Sequence, residues 1–184
     1  SQQNKLSINL CPLIKESLKF VQASMPSSVE IYESIPVFCG NAFVDPTEIQ
    51  QIIMNLCSNA IWALNEKGNI EISLQQALLD EKKASEKGIP GGNYIELVFA
   101  DTGQGMDEET RTRIFDPFFT RKEVGEGTGL GLSIVYGIME SYGGTITVES
   151  EIGKGSTFHL FFPVTEEQAV EKNETAEEVP TGSE

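Results

Sequence analysis

Apolar positions recur at helical spacing in several stretches of the chain. After Cys11-Pro12, the residues Leu13, Ile14, Leu18, Val21 and Met25 fall on one face. The strongest helical pattern follows Asp45. Ile49, Ile52, Ile53, Leu56, Ala60, Ala63 and Leu64 form its stripe, Asp45 is an N-cap candidate, Pro46 suits the first turn, and Glu48 stands at capping-box distance. Gly129 to Tyr142 predicts a further helix and Asp107 to Phe115 a short one. Alternation with period two marks strands at 29–35, 70–74, 94–100, 145–150 and 156–163, with Gly143-Gly144 turning the chain into the last two. Residues 79–93 are polar, end in Pro90-Gly91-Gly92 and predict an inserted loop. Strands mixed with helices, closed by hairpins, predict an α+β fold: a two-layer sandwich with helices on one face of a mixed sheet.

The pattern stops after Pro163, which divides the chain into a globular domain, 1–164, and a tail, 165–184, expected to be a disordered acidic linker. The tail holds seven acids and one lysine, so the net charge of −15 is partly local. Such a balance disfavours nucleic acid. It leaves room for a phosphate ligand, which is held by backbone N–H groups, a metal and a few cations. Three widely spaced cysteines, Cys11, Cys39 and Cys57, fit neither a disulfide framework nor a zinc site and point to reduced thiols in a cytoplasmic setting. No apolar run approaches bilayer length and no signal-peptide pattern is visible, so direct membrane contact is not expected.

Three local features carry candidate chemistry. Asn55 and Asn59, four residues apart, project amides from the polar side of the strong helix. An amide oxygen is a hard ligand suited to Mg²⁺, although a solvated polar face explains the pair equally well. Asp101-Thr102-Gly103-Gln104-Gly105 ends a strand with an acid and turns on two glycines. The carboxylate can accept from an amino group such as that of adenine, and glycines permit close backbone approach. The run Gly125 to Ser133 opens a helix and exposes N–H groups where the helix terminus favours anions. Thr120, Arg121 and Lys122 precede it with further donors and positive charge. Two commoner glycine motifs fail. Gly153-Lys154 is followed by Gly155, not Ser or Thr, and the third position of a dinucleotide fingerprint falls on Leu132 or Ile134.

Taken in order, these features resemble the ATPase fold shared by histidine kinases, gyrase, the ninety-kilodalton heat-shock chaperone and mismatch-repair ATPases. Asn55 to Ala60 resembles the N box, Asp101 to Gly105 the first glycine box, Ile114 to Thr120 the F box, Gly127 to Leu132 the second glycine box and Gly153 to Phe158 the last. The F box points to the histidine kinases. So does Asn55, which stands where hydrolytic relatives place a general-base glutamate and which cannot abstract a proton. The resemblance implies a bound ATP and Mg²⁺. Asn59 would hold Mg²⁺, with Asn55 and Lys122 supporting the chemistry, and Asp101, with Ser156 near it, would read adenine. Gly103 and Gly105 would approach the base, while Gly127, Thr128, Gly129, Leu130, Gly131 and Leu132 would cradle the phosphates with Thr120, Arg121 and Lys122. Phe115, Phe118 and the segment to Gly127 would form a mobile lid.

One departure is Trp62, where many histidine kinases carry a basic residue; phosphate contact from that helix would pass to Arg121 or Lys122. The implied function is phosphoryl transfer from ATP to a histidine in a two-component sensor kinase. The sole histidine, His159, lies within the last strand and is expected to be structural. The acceptor would then lie on a separate dimerisation domain of the same protein, before Ser1. The closing Pro180 to Glu184 resembles a linker to a response-regulator receiver domain in hybrid kinases. Two alternatives stay open: a hydrolytic ATPase of the same fold, and a degenerate nucleotide-sensing or protein-binding module.

Overall fold

The computed structural model describes residues 4–122 and 127–169. The elements run β1 (Leu6–Asn9), α1 (Leu10–Gln22), β2 (Val29–Ser34), β3 (Asn41–Val44), α2 (Pro46–Leu64), β4 (Gly68–Leu79), α3 (Glu81–Glu86), β5 (Gly92–Asp101), α4 (Glu108–Arg113), α5 (Gly131–Ser141), β6 (Thr145–Glu151) and β7 (Gly155–Thr165). The strands form one mixed sheet in the order β1-β3-β7-β5-β4-β2, with β6 also paired to β7. Among the described strands only β2 and β4 pair in parallel; the other pairs are antiparallel.

Alternation along the strands decides which face is dry. Ile70, Ile72 and Leu74 of β4, Ile95, Leu97 and Phe99 of β5, and Phe158, Leu160 and Phe162 of β7 are buried in one core with the apolar stripes of α1, α2 and α5. Each such side chain contributes about 1.5–3 kcal/mol when fully buried. This is the predicted two-layer α+β sandwich. The intervening positions face the other way. His159 is among them, its Nδ1 2.8 Å from Glu96 Oε1 and its Nε2 3.4 Å from Glu149 Oε2. It is a cross-strand polar contact, as its place in the strand predicts.

The structure departs from the sequence expectations in four places. Strands β1 and β3, four residues each, were not anticipated. Residues 79–93 are not a loop: β4 and β5 form a long hairpin, and α3 caps its end. Leu79, Ala84, Ile89, Tyr94 and Phe161 make a second small core there. Because Tyr94 and Phe161 alternate with the main-core positions, this core lies on the opposite face of the sheet. The last strand continues past Pro163, Val164 and Thr165 pairing with Ala42 and Asn41. The expected acidic tail from 170 onward lies outside the described residues. Finally, Asp45 caps α2 by accepting from Thr47 N at 2.9 Å, but Glu48 does not close a capping box. The Tyr142 hydroxyl is inserted between them, accepting from Asp45 N at 3.2 Å and donating to Glu48 at 3.0 Å. Burial and the adjacent carboxylate keep that phenol protonated far above its ordinary range.

The cysteines are free and buried. Burial pushes Cys57 up to about 12, and burial with its Cys11 neighbour pushes Cys39 equally high. Both are therefore poor nucleophiles at neutral pH.

Candidate functional site

Helix α2 carries its apolar stripe inward and presents Asn55, Ser58, Asn59 and Trp62 to a cavity of about 270 Å³. These positions are three or four residues apart and so form one row. The opposite wall is Thr120, Arg121 and Lys122 with Gly127, Thr128, Gly129, Gly131 and Leu132; Ile114 and Phe119 complete the lining. Among the described wall residues there is no Asp or Glu, although the chain carries a net charge of −15. A cavity whose described wall carries two cations, on an acidic chain, suits an anion.

The second glycine box is fitted to the other motifs by close approach. Gly129 has φ +70°, and its carbonyl accepts from Phe118 N at 3.0 Å. A Cβ there would lie 2.5 Å from the Phe118 backbone. Phe118 is itself left-handed at φ +67°. Asn55 Nδ2 donates to Gly131 O at 3.3 Å and joins α2 to the start of α5. That start is bare. Helices α1 to α4 each have an Asn or Asp side chain accepting from a first-turn N–H, whereas α5 has no side-chain cap. Its first-turn donors are thus available to an anion.

Asp101 and the first glycine box stand apart from this wall. Asp101 is 5% exposed and pairs across the sheet with Ser156. Its Oδ1 accepts from Gly103 N at 2.9 Å, while Oδ2 is buried without a partner. Burial raises its pKa; the Gly103 hydrogen bond, the nearby Ser156 backbone N–H and Arg121 oppose the shift. A buried orphan acceptor requires a donor, and an exocyclic amino group supplies one. Gly105, at φ +69°, is required by contact: a Cβ would sit 1.9 Å from Glu151 O. Gln104 N donates to Ala63 O at 3.0 Å and anchors the turn on the end of α2. The Ser156 hydroxyl is 2.8 Å from Ser150 Oγ rather than on the Asp101 carboxylate.

Arg121 links the two ends. Its Nη1 donates to Gly105 O at 2.7 Å. Its guanidinium lies 5.1 Å from the Trp62 ring centre, and Lys122 Nζ lies 5.9 Å from it. Partial burial lowers the Arg121 pKa, with Asp107 and Asp101 opposing.

Of the predicted site residues, Asn55, Asn59, Thr120, Arg121, Lys122, Gly127, Thr128, Gly129, Gly131 and Leu132 line one cavity. Asp101, Gly103, Gly105 and Ser156 form the neighbouring turn. Phe115 is turned into the core, 5.7 Å from Tyr136 and 6.3 Å from Phe158, and Phe118 is 75% exposed. Neither lines the cavity. The rest of that expected lid, 123–126, lies outside the described residues. Ser58, Trp62, Ile114 and Phe119 were missed as wall residues. Ser58 is readable only as a member of the Asn55–Asn59 row.

Residues 44–166 match the family of histidine kinase-, DNA gyrase B- and HSP90-like ATPases. The chain belongs to this family. The sensor kinase CckA of Brucella abortus is 42% identical over 120 residues, covering 65% of this chain and 13% of CckA. The sensor histidine kinase ZraS of Escherichia coli K12 is 35% identical over 159 residues, covering 86% of this chain and 31% of ZraS. The solved catalytic domain of the histidine kinase ThkA, nucleotide-free, superposes with a TM-score of 0.69 at 28% identity and covers 87% of this chain and 97% of that one. The chain is thus an ATP-binding domain of the histidine-kinase branch, spanning a third or less of these curated relatives.

Proposed function

We propose that this domain supplies Mg²⁺·ATP to a protein-histidine kinase and passes the γ-phosphoryl group to a histidine on a separate dimerisation domain of the same protein. The observation that carries this reading is Asn55. It occupies the catalytic row of α2, its amide is spent on Gly131 O, and the described residues of the cavity wall offer no carboxylate to activate water.

Asp101 receives the adenine amino group on Oδ2, and the open start of α5 with Thr128 and Gly129 receives the phosphates. Arg121 and Lys122 balance their charge. The Asn59 amide faces the same cavity and suits a magnesium ion whose other ligands are phosphate and water oxygens. Such an ion supplies charge neutralisation at the transferring phosphoryl group. The residues named here position the nucleotide and hold its charge; the nucleophile comes from the other domain. The only histidine, His159, is tied to Glu96 and Glu149 on the sheet face turned away from the main core. A receiver domain, in the same protein or a separate one, would take the phosphoryl group onward. No helix among the described residues is long and apolar enough to cross a membrane.

The test is calorimetric titration with Mg²⁺·ATP, followed by transfer of labelled phosphate to a supplied histidine domain. Binding, transfer and negligible phosphate release support the kinase. Steady phosphate release without transfer would instead identify a hydrolytic ATPase.

A further inference from the structure

Trp62 is the chain's single tryptophan, and it stands on the polar row of α2 with Asn55, Ser58 and Asn59 rather than on the buried stripe. A large aromatic ring in a cavity wall loses much of what core packing would give it. What it meets instead is charge. Arg121 and Lys122, consecutive in sequence, both lie within about 6 Å of its centre, the range in which a ring face attracts a cation. Each cation has a second fixing point. Arg121 donates to Gly105 O, and the Lys122 stem crosses Gly127 so closely that a Cβ there would lie 2.6 Å from Lys122 Cδ.

We propose that Trp62 is a positioning residue which gathers Arg121 and Lys122 at the phosphate end of the nucleotide without adding a countercharge of its own. A carboxylate in its place would also hold the cations, but it would neutralise them and repel the incoming phosphates. An indole face attracts through its quadrupole and carries no net charge. The two like charges are therefore kept side by side until an anion arrives. This rests on the nucleotide reading above, since it requires the phosphates to occupy this cavity.

The experiment compares the chain with Trp62→Ala, Trp62→Phe and Trp62→Lys, titrating Mg²⁺·ATP and AMP over a range of salt concentrations. Trp62→Ala is expected to weaken ATP roughly 5- to 10-fold, the scale of one cation–π contact. AMP, lacking the outer phosphates, should change less than about 2-fold on the same grounds. The salt dependence of ATP binding should flatten. Trp62→Phe keeps a ring and should retain most of the affinity; Trp62→Lys places a cation directly on α2 and should restore ATP binding relative to Trp62→Ala. Equal losses for ATP and AMP would overturn the proposal, because they would report general damage to the site. So would an unchanged ATP affinity in Trp62→Ala. Failure of the nucleotide reading looks different: the unaltered chain would bind neither ligand, and this proposal would fall with it.

Discussion

The adenine end and the phosphate end of the site follow opposite designs. At the adenine end one carboxylate, Asp101, sits at the terminus of β5, almost fully buried and with one oxygen unpaired. Around it, Gly105 and Gly155 let separate backbone segments approach to contact distance. At the phosphate end no single residue dominates. Two cations, an indole, bare helix donors and an amide surround a cavity, and Thr120, Gly127 and Thr128 in its wall are exposed. A base presents few polar atoms at fixed places, so one rigid acceptor can discriminate it. A triphosphate spreads charge over many oxygens, so shared and adjustable donors suit it better.

The sharpest way to break the contrast is Gly105→Ala. With φ +69° and a Cβ position 1.9 Å from Glu151 O, alanine there forces the first and last glycine boxes apart. We expect a loss of about 3 kcal/mol or more in denaturant unfolding, within the range for strain at such positions combined with overpacking. Next is Asp101→Asn, which can turn an amide donor toward the adenine amino group. ATP affinity should fall by about 100-fold in calorimetry, the cost of a lost charge-assisted bond. Without nucleotide the same variant should be stabilised. Burial raises the pKa of Asp101, so the wild-type penalty is absent below the ordinary carboxylate pKa and appears as pH rises through the raised value. Thermal midpoints of the two proteins should therefore converge toward pH 4 and separate by pH 7, with Asp101→Asn the higher.

Asn59→Ala addresses the phosphate end. It should weaken Mg²⁺·ATP about 10-fold while leaving metal-free ATP nearly unchanged, as loss of one of several ligands predicts. The smallest effect lies outside both ends. Tyr142→Phe removes the hydroxyl that bridges Asp45 N and Glu48 and should cost about 1 kcal/mol of stability with little change in ATP affinity.

The regular elements were legible where the pattern was long. Helix α2 announces itself through Asp45-Pro46 and seven apolar positions, and the alternation of 94–100 and 156–163 marks the two strands that frame Asp101 and Ser156. Strands β1 and β3 were not legible because four residues carry too few alternations to count. Residues 79–93 misled for a related reason. Their helix is one and a half turns of Glu-Lys-Lys-Ala-Ser-Glu, and its core draws on Phe161, far away in sequence. Glu48 stood at the right spacing for a capping box, but Tyr142 arrives from the other end of the fold and takes the bonds. The glycine boxes were readable as letters, whereas the meeting of Trp62 with Arg121 and Lys122 requires two segments with no local relation.

The place of β7 in the sheet has a consequence for how the protein is made. It comes last among the described strands, yet it bonds to β3, β5 and β6. The β4–β5 hairpin, with ten residue pairs of short separation, can zip as soon as it emerges from the ribosome. Its β5 edge then stays bare, offering unpaired N–H and C=O groups to any neighbouring chain. A ribosome that stalls before residue 155 therefore releases a sticky half-sheet, not a smaller folded domain.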